Sequence, residues 1–114
     1  MKYLCLVYSA QDRLHGLPES PEDAECQAYA EKVQASGKML AAQALQPVST
    51  ATTVRVRNGK LSITDGPFAE TKEQLAGFYL VEARDLEDAL QIAAQIPAAR
   101  VGSVEVRPVR ELNP

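Results

Sequence analysis

The densest group of side chains that could do chemistry lies in one ten-residue stretch, residues 65–74, with the sequence DGPFAETKEQ. Its ionisable residues and its single aromatic residue are Asp65, Glu70, Lys72, Glu73 and Phe68. The stretch follows a predicted β-hairpin and precedes a predicted strand, but it has no strand period of its own. Because loops held by a rigid sheet often carry function, we predict a binding or catalytic site here.

Asp65 is the first candidate catalytic residue. Side chains alternate along a strand, so Asp65 falls on the hairpin face that also carries Leu61 and Ile63. A carboxylate on a core-facing side must be hydrogen-bonded, paired or open to a cleft, and in a cleft it could act as a base or accept a ligand proton. The alternative is that Asp65 accepts backbone N–H groups of its own turn, as Asp often does before Gly. The two roles can coexist.

His15 is the second candidate and the only histidine of the chain. Histidine is the one side chain that ordinarily titrates near neutral pH. If the loop around His15 folds over the cleft, His15 and Asp65 would form a general acid/base pair. The alternative is a solvent-exposed loop histidine.

Four further residues are candidate ligand contacts, namely Arg55, Phe68, Glu70 and Lys72. Arg55, on the polar face of the hairpin, could hold an anionic group, or it could be a plain surface charge. Glu70 and Lys72 could contact a polar ligand or a second subunit, or they could be solvated. Phe68 could stack on a ligand or anchor the loop in the core. No metal-ligand spacing is present, so we predict no metal site and no cofactor.

The elements around this stretch predict an α+β domain. Strands are predicted at residues 3–8, 39–45, 52–57, 60–64, 78–83 and 104–109, and helices begin near Ser20-Pro21 and Asp85. Ser and Asp are common helix N-caps, and Gly37 is a natural helix end. The order is β-α-β, a hairpin, a loop, then β-α-β, which is typical of a ferredoxin-like antiparallel sheet with two helices on one face and an inserted hairpin.

The hairpin register follows from Asn58-Gly59, a turn dipeptide that tolerates the positive φ angles of a two-residue loop. This loop places Val56 opposite Leu61 and Val54 opposite Ile63. We predict that this apolar face is the inner face of the hairpin. Aspartate at Val56 or Leu61 should then unfold the domain.

The same stretch carries a family resemblance. Asp-Gly-Pro-Phe followed by Ala-Glu-Thr-Lys-Glu is similar to the signature of the DGPF proteins, a branch of the YCII-related family, and residues 51–55, 77–80 and 102–109 are similar to that branch too. The resemblance implies a ferredoxin-like domain of the dimeric α/β-barrel type, a homodimer, a ligand cleft and no settled activity. DGPF proteins are often encoded beside extracytoplasmic-function sigma factors, so it also implies a sigma factor as a candidate partner.

The wider YCII-related family implies a His–Asp pair, with the His near the first helix and the Asp before a Pro near the end of the second. In this sequence the predicted first helix has no histidine, and Ile96 precedes Pro97. The pair is therefore not present at those two positions.

Composition limits the function further. The 114 residues form one domain, 1–114, with a net charge of −3 and no basic run, which argues against a nucleic-acid partner. No apolar run approaches the roughly 20 residues of a membrane span. Cys5 and Cys26 have neither CxxC nor zinc spacing, so we predict reduced thiols and a cytoplasmic location.

Self-association is predicted from the first strand, because both of its faces are apolar and two helices can cover only one. An exposed apolar patch usually marks an interface, so we predict a homodimer with residues 65–74 near the interface. For function, we predict binding of a small polar or anionic metabolite with cofactor-free acid/base chemistry. The alternative is a regulatory module associated with a sigma factor.

Overall fold

The computed structural model describes residues 1–10 and 23–112. The helices and strands, in chain order, are β1 (Lys2–Ser9), α1 (Asp23–Ala35), β2 (Met39–Ala44), β3 (Thr52–Arg57), β4 (Lys60–Asp65), β5 (Gln74–Glu82), α2 (Leu86–Ala94) and β6 (Ser103–Pro108). Short 3-10 turns lie at Val48–Thr50 and Pro97–Arg100. Neither described helix is long and apolar enough to cross a membrane.

The main sheet has four strands in the order β2-β5-β1-β6, and every neighbouring pair is antiparallel. Strands β3 and β4 pair only with each other, as a separate two-stranded sheet. The predicted α+β, ferredoxin-like plan with an inserted hairpin is therefore confirmed. The two central strands, β1 and β5, each begin one βαβ half of the chain. Because they are antiparallel, the end of β1 lies beside the start of β5, where Ser9 pairs with Gln74 near the site described below.

One face of the main sheet meets both helices. On β1 the residues Tyr3, Cys5 and Val7 are buried in one cluster with side chains of α1 and α2. The i, i+3, i+4, i+7 spacing along α1 predicts an inner stripe of Cys26, Tyr29, Ala30 and Val33. Tyr29 and Val33 are buried in this cluster, and Cys26 and Ala30 are half-buried. Helix α1 ends as expected near Gly37, which has a φ of 78° that suits glycine after a helix.

The spacing along α2 predicts an inner stripe of Leu86, Ala89, Leu90 and Ala93, widened by Ile92 and Ile96. Of these, Ala89, Ala93 and Ile96 are buried. Leu86 and Leu90 are exposed, whereas Asp88 is buried. The Asp88 carboxylate accepts the backbone N–H of Arg84 at 3.0 Å and lies 3.5 Å from the Lys38 ammonium. These bonds hold a polar residue on the inner side, so the helix turns the two leucines toward solvent.

The other face of the main sheet, which we call the open face, carries apolar side chains without helices over them. Leu4 pairs with Leu80 and Leu6 with Phe78, so these four side chains point the same way, and all four are half-buried. The helices pack on the opposite side, with the buried alternate residues of β1. The expectation that β1 is apolar on both faces is therefore correct.

The hairpin has the predicted register but not the predicted environment. Val56 pairs with Leu61 and Val54 with Ile63, around a turn in which Asn58 and Gly59 have positive φ angles. These four apolar side chains are 60–64% exposed, so the prediction that they face the core is wrong. The physical reason is that no further layer covers the ribbon within residues 1–10 and 23–112. The Cα radius of gyration is 15.8 Å, against about 13 Å for a compact domain of this length.

Candidate functional site

A cavity of about 590 Å³ lies between α1, the β2–β5 side of the sheet and the segment that follows β2. Cavities of roughly 300–1,000 Å³ are typical of small-molecule sites. Its polar lining residues are Ser9, Cys26, Gln27, Gln43, Gln46, Gln74 and Tyr79. The remaining described lining is apolar or glycine, and none of it is Asp, Glu, Lys, Arg or His.

Ser9 is the most unusual residue of this lining. It ends β1, its side chain is 3% exposed, and its Oγ has no hydrogen-bond partner in the described part of the chain. A buried hydroxyl without a partner loses its hydration and regains nothing, at a cost of about 1–3 kcal/mol. The strand positions it, because β1 continues its alternation past Val7 through a register shift against β5.

Glycine at position 102 contributes to this burial. A Cβ at Gly102 would lie 2.2 Å from the Tyr8 carbonyl oxygen and 3.1 Å from the Ser9 Cβ. Only glycine therefore lets the start of β6 approach the end of β1 so closely. Gly102 therefore lies against Ser9 and contributes to its burial.

Tyr79 lines the cavity, whereas Tyr29 and Cys5 belong to the core cluster that Tyr79 packs against. The Tyr29 hydroxyl donates to the Ile92 carbonyl oxygen at 2.7 Å, and its ring meets the Tyr79 ring edge-on with centroids 5.7 Å apart. Burial raises the pKa of both tyrosines, and it raises the pKa of the Cys5 thiol to about 11. All three groups are therefore protonated at neutral pH, which makes Tyr79 a hydrogen-bond donor and Cys5 a poor nucleophile.

The 65–74 stretch adjoins the cavity through Gln74. This residue lines the cavity, and its Nε2 donates to the Thr71 carbonyl oxygen at 2.9 Å and to the Ala69 carbonyl oxygen at 3.4 Å. Gln74 begins β5 four residues earlier than predicted. The side chain thus connects the loop to the cavity wall.

The hairpin holds the beginning of the same stretch through its polar face. The Gly66 N–H donates to the Ala51 carbonyl oxygen at 2.7 Å, and the Thr53 hydroxyl donates to the Gly66 carbonyl oxygen at 2.7 Å. The Arg55 guanidinium donates to the Phe68 carbonyl oxygen at 3.2 Å. The beginning of the loop is therefore held by one backbone–backbone hydrogen bond and two hydrogen bonds from side chains of the hairpin to backbone carbonyl groups.

Comparison with known proteins identifies the family. The profile of the YCII-related domain matches residues 1–113. The chain belongs to the YCII-related domain family. The predicted family is thereby confirmed, while its DGPF branch stays a prediction.

This YCII-related domain is also similar to an uncharacterised protein of Rhizobium meliloti (strain 1021), with 43% identity over 81 residues. That alignment covers 69% of this chain and 65% of the relative, so the match spans less than two thirds of the relative's length. Among solved structures, the fold resembles 5-chloro-2-hydroxyhydroquinone dehydrochlorinase from Burkholderia phenoliruptrix AC1100, solved with 2,5-dihydroxybenzoquinone. The TM-score is 0.57, with 96% of this chain and 94% of that chain covered, and at 15% identity the likeness concerns the fold.

The predicted site residues of this YCII-related domain lie on the hairpin and its loop. The described lining of the cavity includes none of Arg55, Asp65, Phe68, Glu70 and Lys72. His15 lies outside the described residues, so its pairing with Asp65 stays a prediction. In the ranges 1–10 and 23–112, no three His, Cys, Asp or Glu residues could together hold a metal ion.

Two of these placements correct the sequence analysis. Asp65 ends β4 opposite Thr52 and is exposed, because the hairpin face that it shares has no core against it. Phe68 is 80% exposed, so the expectation that it anchors the loop in the core is wrong. Arg55 is half-buried and donates to the Phe68 carbonyl oxygen, whereas Glu70 and Lys72 are exposed at the surface.

Ser9 is the site residue that sequence analysis missed. Its signal is present, since Tyr3, Cys5, Val7 and Ser9 continue one alternating, helix-facing series. The strand was predicted to end at residue 8, which placed Ser9 in a loop. A polar residue that ends a buried alternating series marks the place where the core gives way to a cavity.

Proposed function

We propose that this YCII-related domain binds a small, uncharged hydroxylated ring compound in the cavity beside α1. The observation that carries the proposal is the Ser9 hydroxyl, which is buried at the cavity wall without a partner in the described chain. A ligand hydroxyl or carbonyl oxygen would supply the missing hydrogen bond. Binding would then recover free energy that folding leaves unused.

The character of the lining supports an uncharged ligand. The expected polar or anionic metabolite would need a cation or a dense set of donors, because an unpaired charge in an apolar site is expensive. The described lining offers Tyr79 and the amides of Gln43, Gln46 and Gln74, with no charged side chain. Neutral hydroxyl and carbonyl groups match these donors and acceptors.

The structural neighbour supports the size class of the ligand. That protein was solved with 2,5-dihydroxybenzoquinone, a single six-membered ring carrying oxygen substituents. A cavity of about 590 Å³ has ample room for one such ring. The shared fold makes a ring of this size a reasonable first probe.

Acid/base chemistry on the bound ring is the catalytic part of the proposal. Tyr79 and Cys5 have raised pKa values and hold their protons at neutral pH, so neither is a general base there. His15 and Asp65 remain the proposed acid/base pair. Arg55 and Lys72, with Phe68 and Glu70 on the same loop, remain the proposed contacts for a ligand group that projects toward the loop.

Binding is tested with hydroquinone at pH 7 by titration calorimetry, and with 2,5-dihydroxybenzoate as a matched carboxylated probe. Hydroquinone should bind more tightly than the carboxylate. Ser9→Ala should weaken hydroquinone binding about fivefold to tenfold, which corresponds to the loss of one hydrogen bond worth about 1 kcal/mol.

The matched control is Ser62→Ala, since Ser62 is an exposed serine of the hairpin and should leave binding unchanged. No binding of either probe up to about 10 mM, a concentration that corresponds to negligible affinity, would overturn the proposal. If the wild type and Ser9→Ala bind hydroquinone with equal affinity, Ser9 does not contact the ligand. If the bound ring still exchanges its protons with water in a His15→Ala, Asp65→Ala double variant, then His15 and Asp65 are not its acid/base pair.

The assembly proposed for this function is a homodimer. The open face presents Leu4, Leu6, Phe78 and Leu80 in one half-buried apolar group. Two-fold pairing covers such a face with an identical face, so one patch serves both subunits.

The regulatory alternative is association with a sigma factor. The exposed apolar face of the hairpin is the feature that favours a macromolecular partner of some kind. Co-purification of the tagged protein with sigma factors encoded beside it tests this alternative. Failure to retain one at low salt would remove its support.

A further inference from the structure

We infer that Gln74 makes the cavity selective for ring compounds that carry a free hydroxyl group, over analogues whose oxygen is a carbonyl or an ether. This selectivity rests on the proposed function, because it belongs to the same cavity and the same class of ligand. It depends on one atom, the side-chain oxygen Oε1 of Gln74, and on the loop that fixes the direction of that atom.

The 65–74 stretch sets the direction of the Gln74 amide. Its Nε2 donates to the Thr71 carbonyl oxygen at 2.9 Å and to the Ala69 carbonyl oxygen at 3.4 Å. A side-chain amide nitrogen carries two N–H donors, so these two hydrogen bonds use both of them. The reversed amide would place Oε1 against two carbonyl oxygens, and acceptors that face each other repel. The loop therefore holds the nitrogen and turns the oxygen away from itself.

The Gln74 oxygen is left for a ligand. Among the described residues, both hydrogen bonds of this side chain are made by Nε2, and none is made by Oε1. Gln74 is half-buried and lines the cavity. An amide oxygen has two lone pairs and no proton, so it can only accept a hydrogen bond. The ligand group that meets it must therefore be a donor.

Ser9 is the neighbour that turns this requirement into selectivity. Ser9 and Gln74 are directly opposed in the pairing of β1 with β5, and opposed side chains of an antiparallel pair have Cβ atoms about 4.5–5.5 Å apart. The Ser9 hydroxyl is buried, and its Oγ bonds neither to Gln74 nor to any other described residue. Two adjacent polar groups at the cavity wall thus lack a partner.

A ligand hydroxyl is a single group that serves both positions. It accepts from the Ser9 O–H and donates its own proton to Gln74 Oε1, whereas a carbonyl or ether oxygen accepts from Ser9 and leaves Oε1 without a donor. An acceptor that loses water and gains no partner weakens binding. A site built to bond a ligand hydroxyl therefore rejects analogues that lack one. For a ring with oxygen substituents, the site favours the reduced hydroquinone over the quinone.

The test uses two probes that differ by one methyl group, 4-methoxyphenol and 1,4-dimethoxybenzene. Both are uncharged single rings with two oxygen substituents, and only the first carries a hydroxyl. The extra methyl group adds apolar surface, which by itself would favour the second probe. In titration calorimetry at pH 7, the wild type should bind 4-methoxyphenol about fivefold to tenfold more tightly, which is the effect of one hydrogen bond.

Three variants assign this preference to a residue. Gln74→Met keeps the length of the side chain but removes the oxygen, so the preference should fall to about twofold or less, chiefly through weaker binding of 4-methoxyphenol. Ser9→Ala should weaken both probes to a similar degree and keep the preference, because both present an oxygen to the Ser9 hydroxyl. The matched control is Gln91→Met, since Gln91 is an exposed glutamine of α2 outside the described cavity lining and should leave both affinities unchanged.

The direction of the amide is measured in the wild type by NMR, so this result does not depend on the folding of a variant. In protein labelled with ¹³C and ¹⁵N, 4-methoxyphenol should shift the Gln74 Cδ resonance downfield, because the carbonyl group accepts a hydrogen bond. The two Nε2 protons should stay near their positions in the free protein. A shift of the Nε2 protons without a shift of Cδ would mean that the amide donates to the ligand, and it would overturn the assignment.

The remaining outcomes separate the role of Gln74 from the proposed function. Equal affinity of the wild type for the two probes, or a Gln74→Met variant that keeps the preference, overturns the role of Gln74 alone. A Gln74→Met variant that weakens both probes equally also overturns it, because Gln74 would then act only on the structure. If neither probe nor hydroquinone binds up to about 10 mM, a concentration that corresponds to negligible affinity, the proposed function fails and the selectivity fails with it.

Discussion

The main sheet and the hairpin follow the same sequence rule and reach different environments. In β1 the residues Tyr3, Cys5 and Val7 alternate with half-buried neighbours and are covered by two helices. In β3 and β4 the alternation is as regular, yet Val56 and Leu61 remain exposed. Alternation thus determines which residues share a face. What covers that face depends on elements that lie far away in the sequence or on another chain.

The largest expected difference between the two regions comes from a buried charge. Val81 on β5 is fully buried, so Val81→Asp should cost about 4 kcal/mol or more and abolish folding. Val56→Asp places the same group on the hairpin and should cost less than about 1 kcal/mol in the monomer. Urea unfolding followed by circular dichroism measures both.

Protein concentration sharpens this comparison. If the hairpin takes part in the proposed homodimer, the Val56→Asp effect should grow with protein concentration, whereas the Val81→Asp effect should not. If Val56→Asp unfolds the dilute monomer, the hairpin is part of the monomer core and the contrast between the regions disappears.

Two glycines provide a second comparison. Gly102 has no space for a side chain, whereas Gly59 has space but a backbone conformation that favours glycine. Gly102→Ala would place a methyl group 2.2 Å from the Tyr8 carbonyl oxygen, and we expect a loss of about 2–4 kcal/mol from displaced backbone. Gly59 has open space around it but a φ of 76°, so Gly59→Ala should cost about 1–2 kcal/mol. Thermal unfolding midpoints rank the two variants, and the reverse order would contradict the close approach of β6 to β1.

The sequence predicted the local structure in both regions more fully than the site. Asn58-Gly59 determined the hairpin register, and Gly37 marked the end of α1, because both depend on residues close in sequence. The burial of Asp88 depends on the backbone N–H of Arg84 and on Lys38 from a distant segment, and the apolar periodicity of α2 does not reveal these contacts.

The candidate site was predicted poorly for the same reason. A cavity arises where α1, β2, β5 and the end of β1 fail to fill space, and no single segment encodes that gap. The charged stretch 65–74 was conspicuous in sequence, yet its charged side chains Asp65, Glu70 and Lys72 lie at the surface. Ser9 was inconspicuous because one serine at a strand end is common.

Asp88, in α2, makes a smaller contribution to the free energy of unfolding, and this contribution depends on pH. The backbone N–H of Arg84, followed by the charges of Lys38 and Arg84, lowers the pKa of the Asp88 carboxyl. A lowered folded-state pKa contributes stability that is present above the unfolded value of about 3.9 and is lost as pH falls through the folded value. Asp88→Asn should therefore be less stable than the wild type at pH 7, and this difference should shrink below about pH 4.

The measurement for Asp88 is the urea midpoint as a function of pH. Lys38→Met serves as its control, since it removes one charge but keeps the Arg84 N–H donor, the largest cause of the shift. When the pH is lowered, the Lys38→Met variant should lose most of the stability that the wild type loses. A pH-independent difference between Asp88→Asn and the wild type would contradict a lowered pKa.

The smallest expected effect is that of Ser9→Ala on stability without a ligand. Removing a buried hydroxyl that has no described partner should leave the free energy of unfolding unchanged or raise it by up to about 1 kcal/mol. The same substitution weakens binding, so Ser9 would oppose folding slightly and favour the ligand. A destabilisation of about 2 kcal/mol would instead mean that Ser9 has a structural partner.

The edge-on pair of Tyr29 and Tyr79 gives the cavity its own optical signal. The chain contains four tyrosines and no tryptophan, so tyrosines alone account for its near-ultraviolet emission. Tyr79 lines the cavity, and its ring centroid lies 5.7 Å from that of Tyr29, which is close enough for the two rings to share excitation. A ring compound that quenches Tyr79 would therefore dim both fluorophores, and ligand entry could be followed in the unmodified protein.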